Sequence, residues 1–226
     1  MDKATIVIPA RKGSKGFPGK NKHLFDYTAR QIPLNLSDRV IFTSDDDELL
    51  NRAEEYNFKT LKRKDELSTD ETKMGDVIKD VVKKFDIDSD DDIITLYLTY
   101  PQRTWIQINE IYDFYKRMNA RSLLCKKETK THPYMCFYEQ ENFKGSKVID
   151  HNLYRRQEYP KCFESCHYVV ITKVNILDEL DNNLHHKDTC FYKLENKIVD
   201  VDYLKDFDDF KKVNVFDDLR KDHKDG

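Results

Sequence analysis

Over the first 125 residues short apolar runs alternate with segments of helical periodicity, and that alternation leaves the chain few folds to choose from. The runs at 5–9, 39–43, 93–98 and 122–125 have the length and composition of buried strands. Between them, 46–56, 73–85 and 104–119 read as helices. In the last of these Ile108, Ile111, Tyr112 and Tyr115 share one face, and in the one before it Met74, Val77, Ile78, Val81 and Val82 do the same. Strand following helix in this way predicts an α/β chain with a Rossmann-like, mainly parallel sheet flanked by helices. Ligands of such sheets lie outside the carboxyl ends of the strands.

The rhythm breaks over 126–161, where aromatics, turns and short β-like pieces replace it, so this stretch is read as a β-rich arm inserted into a single domain spanning 1–226. It returns with a strand at 167–172, a helix near 175–180, a strand at 197–201 and a helix from Lys205. The charged tail 220–226 is expected to fray.

The first strand empties into RKGSKGFPGKNK, where Arg11, Lys12, Lys15, Lys20 and Lys22 stand among glycines that let backbone amides approach a ligand closely. A phosphate-binding Walker loop is excluded, because five positions past Gly13 stands Pro18 and Asn21 follows Lys20. The dinucleotide fingerprint fails at Lys15, which takes the place of its second glycine. Pro18 argues against an immediate helix start, so the loop is expected to wrap phosphates with no helix N-terminus directly behind it. A solvated basic turn is the bland alternative; five cations directly after strand one favour an anion site.

Elsewhere the chain carries no field for nucleic acid: its formal net charge is -3. No apolar run approaches the roughly 20 residues that span a bilayer. Five cysteines, with an N-terminal run read as a strand too short for a secretion signal, predict reduced thiols and a cytoplasmic protein. Cys162, Cys166 and His167 lack the second pair that a zinc site needs.

Six segments in order resemble the CMP-sugar synthetases that activate acylneuraminate-type sugar acids, members of the nucleotide-diphospho-sugar transferase fold. IPARKGSKGFPGKN is similar to their IPAR-G-S-K-G-I-P-x-K-N, and KRKDELSTDET to R-P-x-E-L-x-x-D-x-T. TYPQRTWIQINE resembles T-S-P-L-R-T-x-x-x-I-x-x, THPY resembles H-H-P-Y, and RRQEYPKCF resembles R-R-Q-x-x-P-x-x-F. KIVDVDYLKDF is similar to V-D-I-D-x-x-x-D-F. The related Kdo synthetases have Ser-Thr-Arg where this chain has Ser14, Lys15 and Gly16.

The resemblance implies cytidylyl transfer, in which the anomeric hydroxyl of a sugar acid attacks the α-phosphorus of CTP and pyrophosphate leaves. That chemistry is mostly positioning and charge neutralisation. It assigns Arg11 and Lys20 to the charge that develops, with Lys20 nearest the α-phosphate. Gly13, Ser14, Lys15, Gly16 and Asn21 would hold the nucleotide, and Arg63 its cytidine end. Asp200 and Asp202 would hold Mg²⁺, Asp202 acting directly in catalysis. On a strand their spacing turns both carboxylates to one face. The same spacing recurs at Asp45/Asp47, Asp88/Asp90 and Asp206/Asp208, so it is the apolar run that singles out Asp200/Asp202. Arg103 is read as structural. In the family the arm builds a homodimer and reaches toward the partner's sugar, which places Arg156 and Gln157 at the acceptor together with Tyr97.

Two departures from the family pattern fall at the sugar end. Tyr97 and Leu98 replace a glutamine and a proline, and in FESCHY Glu164, Cys166 and His167 replace arginine, asparagine and glycine. They point to an altered acceptor. A catalytically idle nucleotide-binding or scaffold protein, and a synthetase for another sugar acid such as Kdo, are the alternatives.

Overall fold

The computed structural model describes residues 3–196 and 198–213; the tail 220–226 lies outside the described residues. The apolar runs form the middle of a seven-stranded sheet. Its strands are β1 (Ala4–Ala10), β2 (Val40–Ser44), β3 (Lys59–Lys62), β4 (Asp92–Thr95), β5 (Ser122–Glu128), β8 (Phe163–Lys173) and β9 (Cys190–Lys193), in the order β3-β2-β1-β4-β8-β5-β9. All neighbours run parallel except β8, which is antiparallel to both β4 and β5. The order reverses at β1 and β4: the chain leaves β1 toward β2 on one side and comes back to β4 on the other. That switch point is where a doubly wound sheet opens a crevice.

Alternate residues of each buried strand feed two cores. Ile6, Ile8 and Phe42 face one, against α1 (Lys20–Ala29), α2 (Asp47–Glu55), α4 (Trp105–Arg117) and α5 (Leu204–Val213). Val7, Ile41 and Ile93 face the other, against α3 (Met74–Phe85). The apolar faces anticipated for α3 and α4 are the buried ones: Val77, Ile78 and Val81, and Ile108, Ile111, Tyr112 and Tyr115. Thr104 starts α4 with a capping box, its hydroxyl accepting from the Gln107 amide while Gln107 Oε1 accepts from Thr104 N at 3.0 Å.

At the amino end of β4, away from the switch-point crevice, the Asp92 side chain is buried in a set of donors. Tyr112 Oη (2.9 Å), Tyr115 Oη (2.8 Å) and Lys116 Nζ (3.1 Å) all donate to it, and Lys173 Nζ stands 3.6 Å away. A carboxylate out of water needs such a set.

Three expectations are corrected. The helix near 175–180 is a tighter 3₁₀ turn, Val174–Glu179, that buries Ile176 and Leu177. Residues 198–201 form no strand, because they lie against the turn after β4 rather than against another strand. Val201 N donates to Thr99 O at 2.9 Å and Gln102 Nε2 to Val199 O at 3.0 Å, which ties the segment down without a ladder. And α1 begins at Lys20, two residues past Pro18. Proline at that distance sits outside the helical hydrogen-bond ladder, and Gly19 turns the chain into the helix with φ +70°. A helix N-terminus therefore does stand directly behind the basic loop.

The arm expected over 126–161 leaves the sheet only after Glu128 and rejoins it at Phe163, because residues 126–128 still belong to β5 and pair with β8. Its strands β6 (Phe137–Glu139) and β7 (Gly145–Lys147) pair with each other apart from the main sheet. Phe137, Tyr138, Phe143 and Tyr154 are exposed on it.

Candidate active site

The crevice at the carboxyl ends of β1 and β4 is built from the loop 11–19, the N-terminus of α1, the turn after β4 and the segment 198–203. Phe17, the loop's one large apolar side chain, fixes the first of these. It is buried, stacks on His23 of α1 with ring centroids 5.2 Å apart and meets Phe207 of α5 at 5.6 Å. Burying a phenylalanine contributes roughly 1.5–3 kcal/mol, so the loop is pinned at its centre by both flanking helices. Asn21 Nδ2 closes its base by donating to Arg11 O at 2.8 Å.

Pinned in this way, the loop meets the acidic segment from the far end of the chain. Lys20 Nζ lies 2.9 Å from Asp202 Oδ1, across 182 residues of sequence. The lysine is largely enclosed, its side chain 12% exposed, whereas the aspartate is open to solvent. The approach is close because Gly16 has no side chain: a Cβ there would stand 2.9 Å from Asp202 O and 3.0 Å from the Tyr203 ring. Gly16→Ala must push the loop off Asp202 and is expected to cost about 1–3 kcal/mol. Gly13→Ala, with open space around it, is expected to cost no more than a few tenths of that range. Urea midpoints of the two variants check the contrast; equal midpoints would remove the close-approach account.

Asp200 and Asp202 keep the alternation expected of them without a strand. Val201 between them is fully buried, Asp200 is half-buried and Asp202 is exposed. Asp200 Oδ2 accepts from Tyr100 Oη at 2.7 Å. Each carboxylate thus has one oxygen in a protein contact and a second oxygen beyond it. Among the described residues no cluster of three or more His, Cys, Asp or Glu side chains could enclose a metal. Asp200 and Asp202 offer two carboxylates, the hard oxygen donors that Mg²⁺ takes from a protein.

Arg11 and Lys15 reach a carboxylate that sequence reasoning passed over. Arg11 Nη1 pairs with Asp70 Oδ1, and Lys15 Nζ with Asp70 Oδ2 at 2.6 Å. The Lys15 and Arg11 hydrogen bonds hold the Asp70 carboxyl below its ordinary range. Asp70 is the second aspartate of the DELSTDET segment, so the signal lay in a motif already marked. Lys12 N donates to Asp45 Oδ1 at 2.7 Å, which fastens the loop to the end of β2.

Arg63 lies deeper than expected of a residue holding the cytidine end. It is buried, Nη2 donates to Thr43 O at 2.9 Å, and Nε has no hydrogen-bond partner. Burial pushes its pKa down to about 10, still charged at neutral pH. Arg103 is structural, as read from the sequence: its guanidinium is buried and donates to Tyr168 O and to Tyr97 O (2.9 Å), tying the turn after β4 to β8.

The two departures from the family pattern meet in space. The rings of Tyr97 and His167 lie 5.4 Å apart, and His167 Nε2 is 3.1 Å from Asn183 O. Beside them Glu164 pairs with Lys127 at 2.9 Å across the β5–β8 register. Arg155, Arg156 and Gln157 stand exposed on the arm. The five cysteines are free thiols, and burial raises the pKa of Cys125 and Cys166.

Comparison with known proteins adds to this geometry. A family model described as Cytidylyltransferase matches residues 5–159. An N-acylneuraminate cytidylyltransferase of Streptococcus agalactiae serotype V is 30% identical over 166 residues, 69% of this chain and 40% of that protein. The chain therefore spans about 40% of the length of that relative. A pseudaminic acid cytidylyltransferase of Campylobacter jejuni is 24% identical over 223 residues, 93% of this chain and 95% of that one. Among solved structures, CMP:2-keto-3-deoxy-manno-octonic acid synthetase complexed with CTP superposes with a TM-score of 0.67 at 15% identity, covering 93% of this chain and 98% of that one. A 4-diphosphocytidyl-2C-methyl-D-erythritol synthase superposes at 0.62 and 10% identity. These structural likenesses show a shared fold.

Proposed function

The chain belongs to the cytidylyltransferase family, and from that premise we propose that it couples CTP to the anomeric hydroxyl of an acidic nine-carbon sugar, releasing pyrophosphate. The observation that supports this most directly is the 2.9 Å pair between Lys20 and Asp202, which brings the basic loop and the acidic segment to one crevice.

In this reading the hydroxyl oxygen bonds to the α-phosphorus as the bond to the bridging oxygen of pyrophosphate breaks. Charge accumulates on the α-phosphate oxygens and on the departing pyrophosphate. Lys20, held at the start of α1, faces the first; Arg11 and Lys15, with the amides of Gly13, Ser14 and Gly16, face the second. Asn21 acts through its bond to the Arg11 carbonyl, keeping the loop closed. Asp200 and Asp202 would hold Mg²⁺, which when bound neutralises phosphate charge and lowers the pKa of a coordinated hydroxyl. Arg63 supports the site from beneath, its charge felt at Tyr97.

The acceptor end is set by Tyr97 and His167, whose packed rings take space that smaller side chains would leave open. N-acylneuraminate and pseudaminate, the sugar acids in the names of the relatives, define the class to try first. The exposed aromatic side chains of the arm support a homodimer in which Arg156 and Gln157 approach the partner's acceptor. No helix of the described residues is long and apolar enough to cross a membrane, and we place the reaction in the cytoplasm.

Incubation with CTP, Mg²⁺ and a panel of eight- and nine-carbon sugar acids is expected to release pyrophosphate with at least one nine-carbon acid, and Asp202→Asn to abolish that release. If the whole panel is silent while CTP still binds, the idle nucleotide-binding reading, which the filled Tyr97–His167 corner favours, takes over.

A further inference from the structure

Asp70 spreads its two oxygens between two cations of the loop, Oδ1 to Arg11 and Oδ2 to Lys15. Its own turn is braced for that task. Thr72 Oγ1 accepts from Thr69 N at 3.1 Å and lies 3.0 Å from Thr69 Oγ1, while Ser68 Oγ donates to Lys64 O at 2.9 Å. The three charged side chains are 34%, 85% and 47% exposed for Arg11, Lys15 and Asp70. Ion pairs this open add little to stability, so the cluster has little value as a fold-holding device. What it does fix is the position of two cations that would otherwise repel each other on a glycine-bearing loop. A carboxylate bridging two cations through separate oxygens is also the arrangement that a phosphate group makes.

We propose that Asp70 is a resident counter-ion: it holds Arg11 and Lys15 at phosphate spacing in the empty site and is displaced from them by the nucleotide's terminal phosphates. The proposal rests on the assignment of this crevice to CTP and deepens it. Asp70 is then a positioning residue, acting through Arg11 and Lys15. A triphosphate, carrying several charges, outcompetes one carboxylate; a monophosphate does so poorly. After transfer the product keeps a single phosphodiester, Asp70 pairs again with both cations, and the loop resists rebinding of the product and of CMP.

The test compares CTP, CMP and cytidine binding by titration calorimetry, without sugar acid, for the wild type, Asp70→Asn, Asp70→Ser and Asp70→Glu. Removing one negative charge beside the phosphates is expected to tighten CTP by about three- to ten-fold and CMP by less than two-fold, leaving cytidine unchanged. Asp70→Ser should follow Asp70→Asn, and Asp70→Glu should stay within about two-fold of the wild type. A CTP affinity that is unchanged or weaker in both neutral variants overturns the proposal, as does an equal shift for all three ligands, which a merely loosened loop would give. A wild type that binds no nucleotide removes the CTP assignment itself, an outcome distinct from a wild type that binds CTP with variants indifferent to Asp70.

Discussion

Lys20→Met is expected to leave a folded protein that releases pyrophosphate about 10²–10³-fold more slowly at saturating CTP, the scale set by losing one charged donor aimed at a reacting group. The side chain is mostly enclosed, 12% exposed, and its ammonium sits at the first position of α1, where the helix dipole adds to its field. Water cannot take its place in that geometry without admitting solvent to the reacting phosphate. The loss should fall on kcat more than on KM, because charge on the α-phosphate oxygens grows only as the new bond forms. Methionine keeps the volume of the aliphatic stem, so packing against Asp202 survives and circular dichroism should match the wild type. A kcat within ten-fold of the wild type would sink the assignment of Lys20 to the reacting phosphate.

Asp92→Ala is expected to do the reverse: about 3–5 kcal/mol of stability lost, with kcat intact in whatever fraction remains folded. The substitution strips the Tyr112 and Tyr115 hydroxyls of their buried acceptor, takes from Lys116 and Lys173 their shared counter-charge, and leaves a small cavity under α4. The cost follows from removing the buried carboxylate that these groups share rather than from the intrinsic strength of any one bond. Asp92 begins β4 while the crevice lies beyond the strand's other end, so the site's geometry should persist. Urea unfolding followed by fluorescence, together with a rate per folded molecule, separates the two effects. A loss below about 1 kcal/mol would mean that water replaces the carboxylate in the cluster.

The pair of substitutions also marks what the chain disclosed in advance. The central strands and the faces of α3 and α4 were legible because each buries a continuous or periodic apolar set. β3 and β9 were not: KTLK and CFYK are four residues each at the two edges of the sheet, and edge strands need no apolar run. α1 hid behind the loop's cations, since its buried face is only Leu24, Phe25, Thr28 and Ala29 and Pro18 stands just ahead of it. The roles that the family resemblance gives to the basic loop and the acidic segment imply that the two converge, but the direct contact of Lys20 with Asp202 has no local signal, the residues being 182 apart. Asp70 belonged to a recognised segment, yet nothing in its spacing said that it would turn toward Arg11 and Lys15. That depends on how β3 and the loop after β1 are brought side by side, which is a property of the assembled sheet.

The strands that flank the arm, β5 and β8, are hydrogen-bonded to each other along most of their length. Topologically, then, the whole stretch from 129 to 162 is the tip of one oversized hairpin, and the sheet closes beneath it regardless of what that tip contains. Since the entropy of closing a loop rises only by about 0.6 kcal/mol per doubling of its length, the tip can be trimmed, extended or exchanged at little thermodynamic penalty to the floor below. The molecule is in this sense two inventions joined at a single seam, one that carries the crevice and one free to be rewritten for whatever lies opposite it.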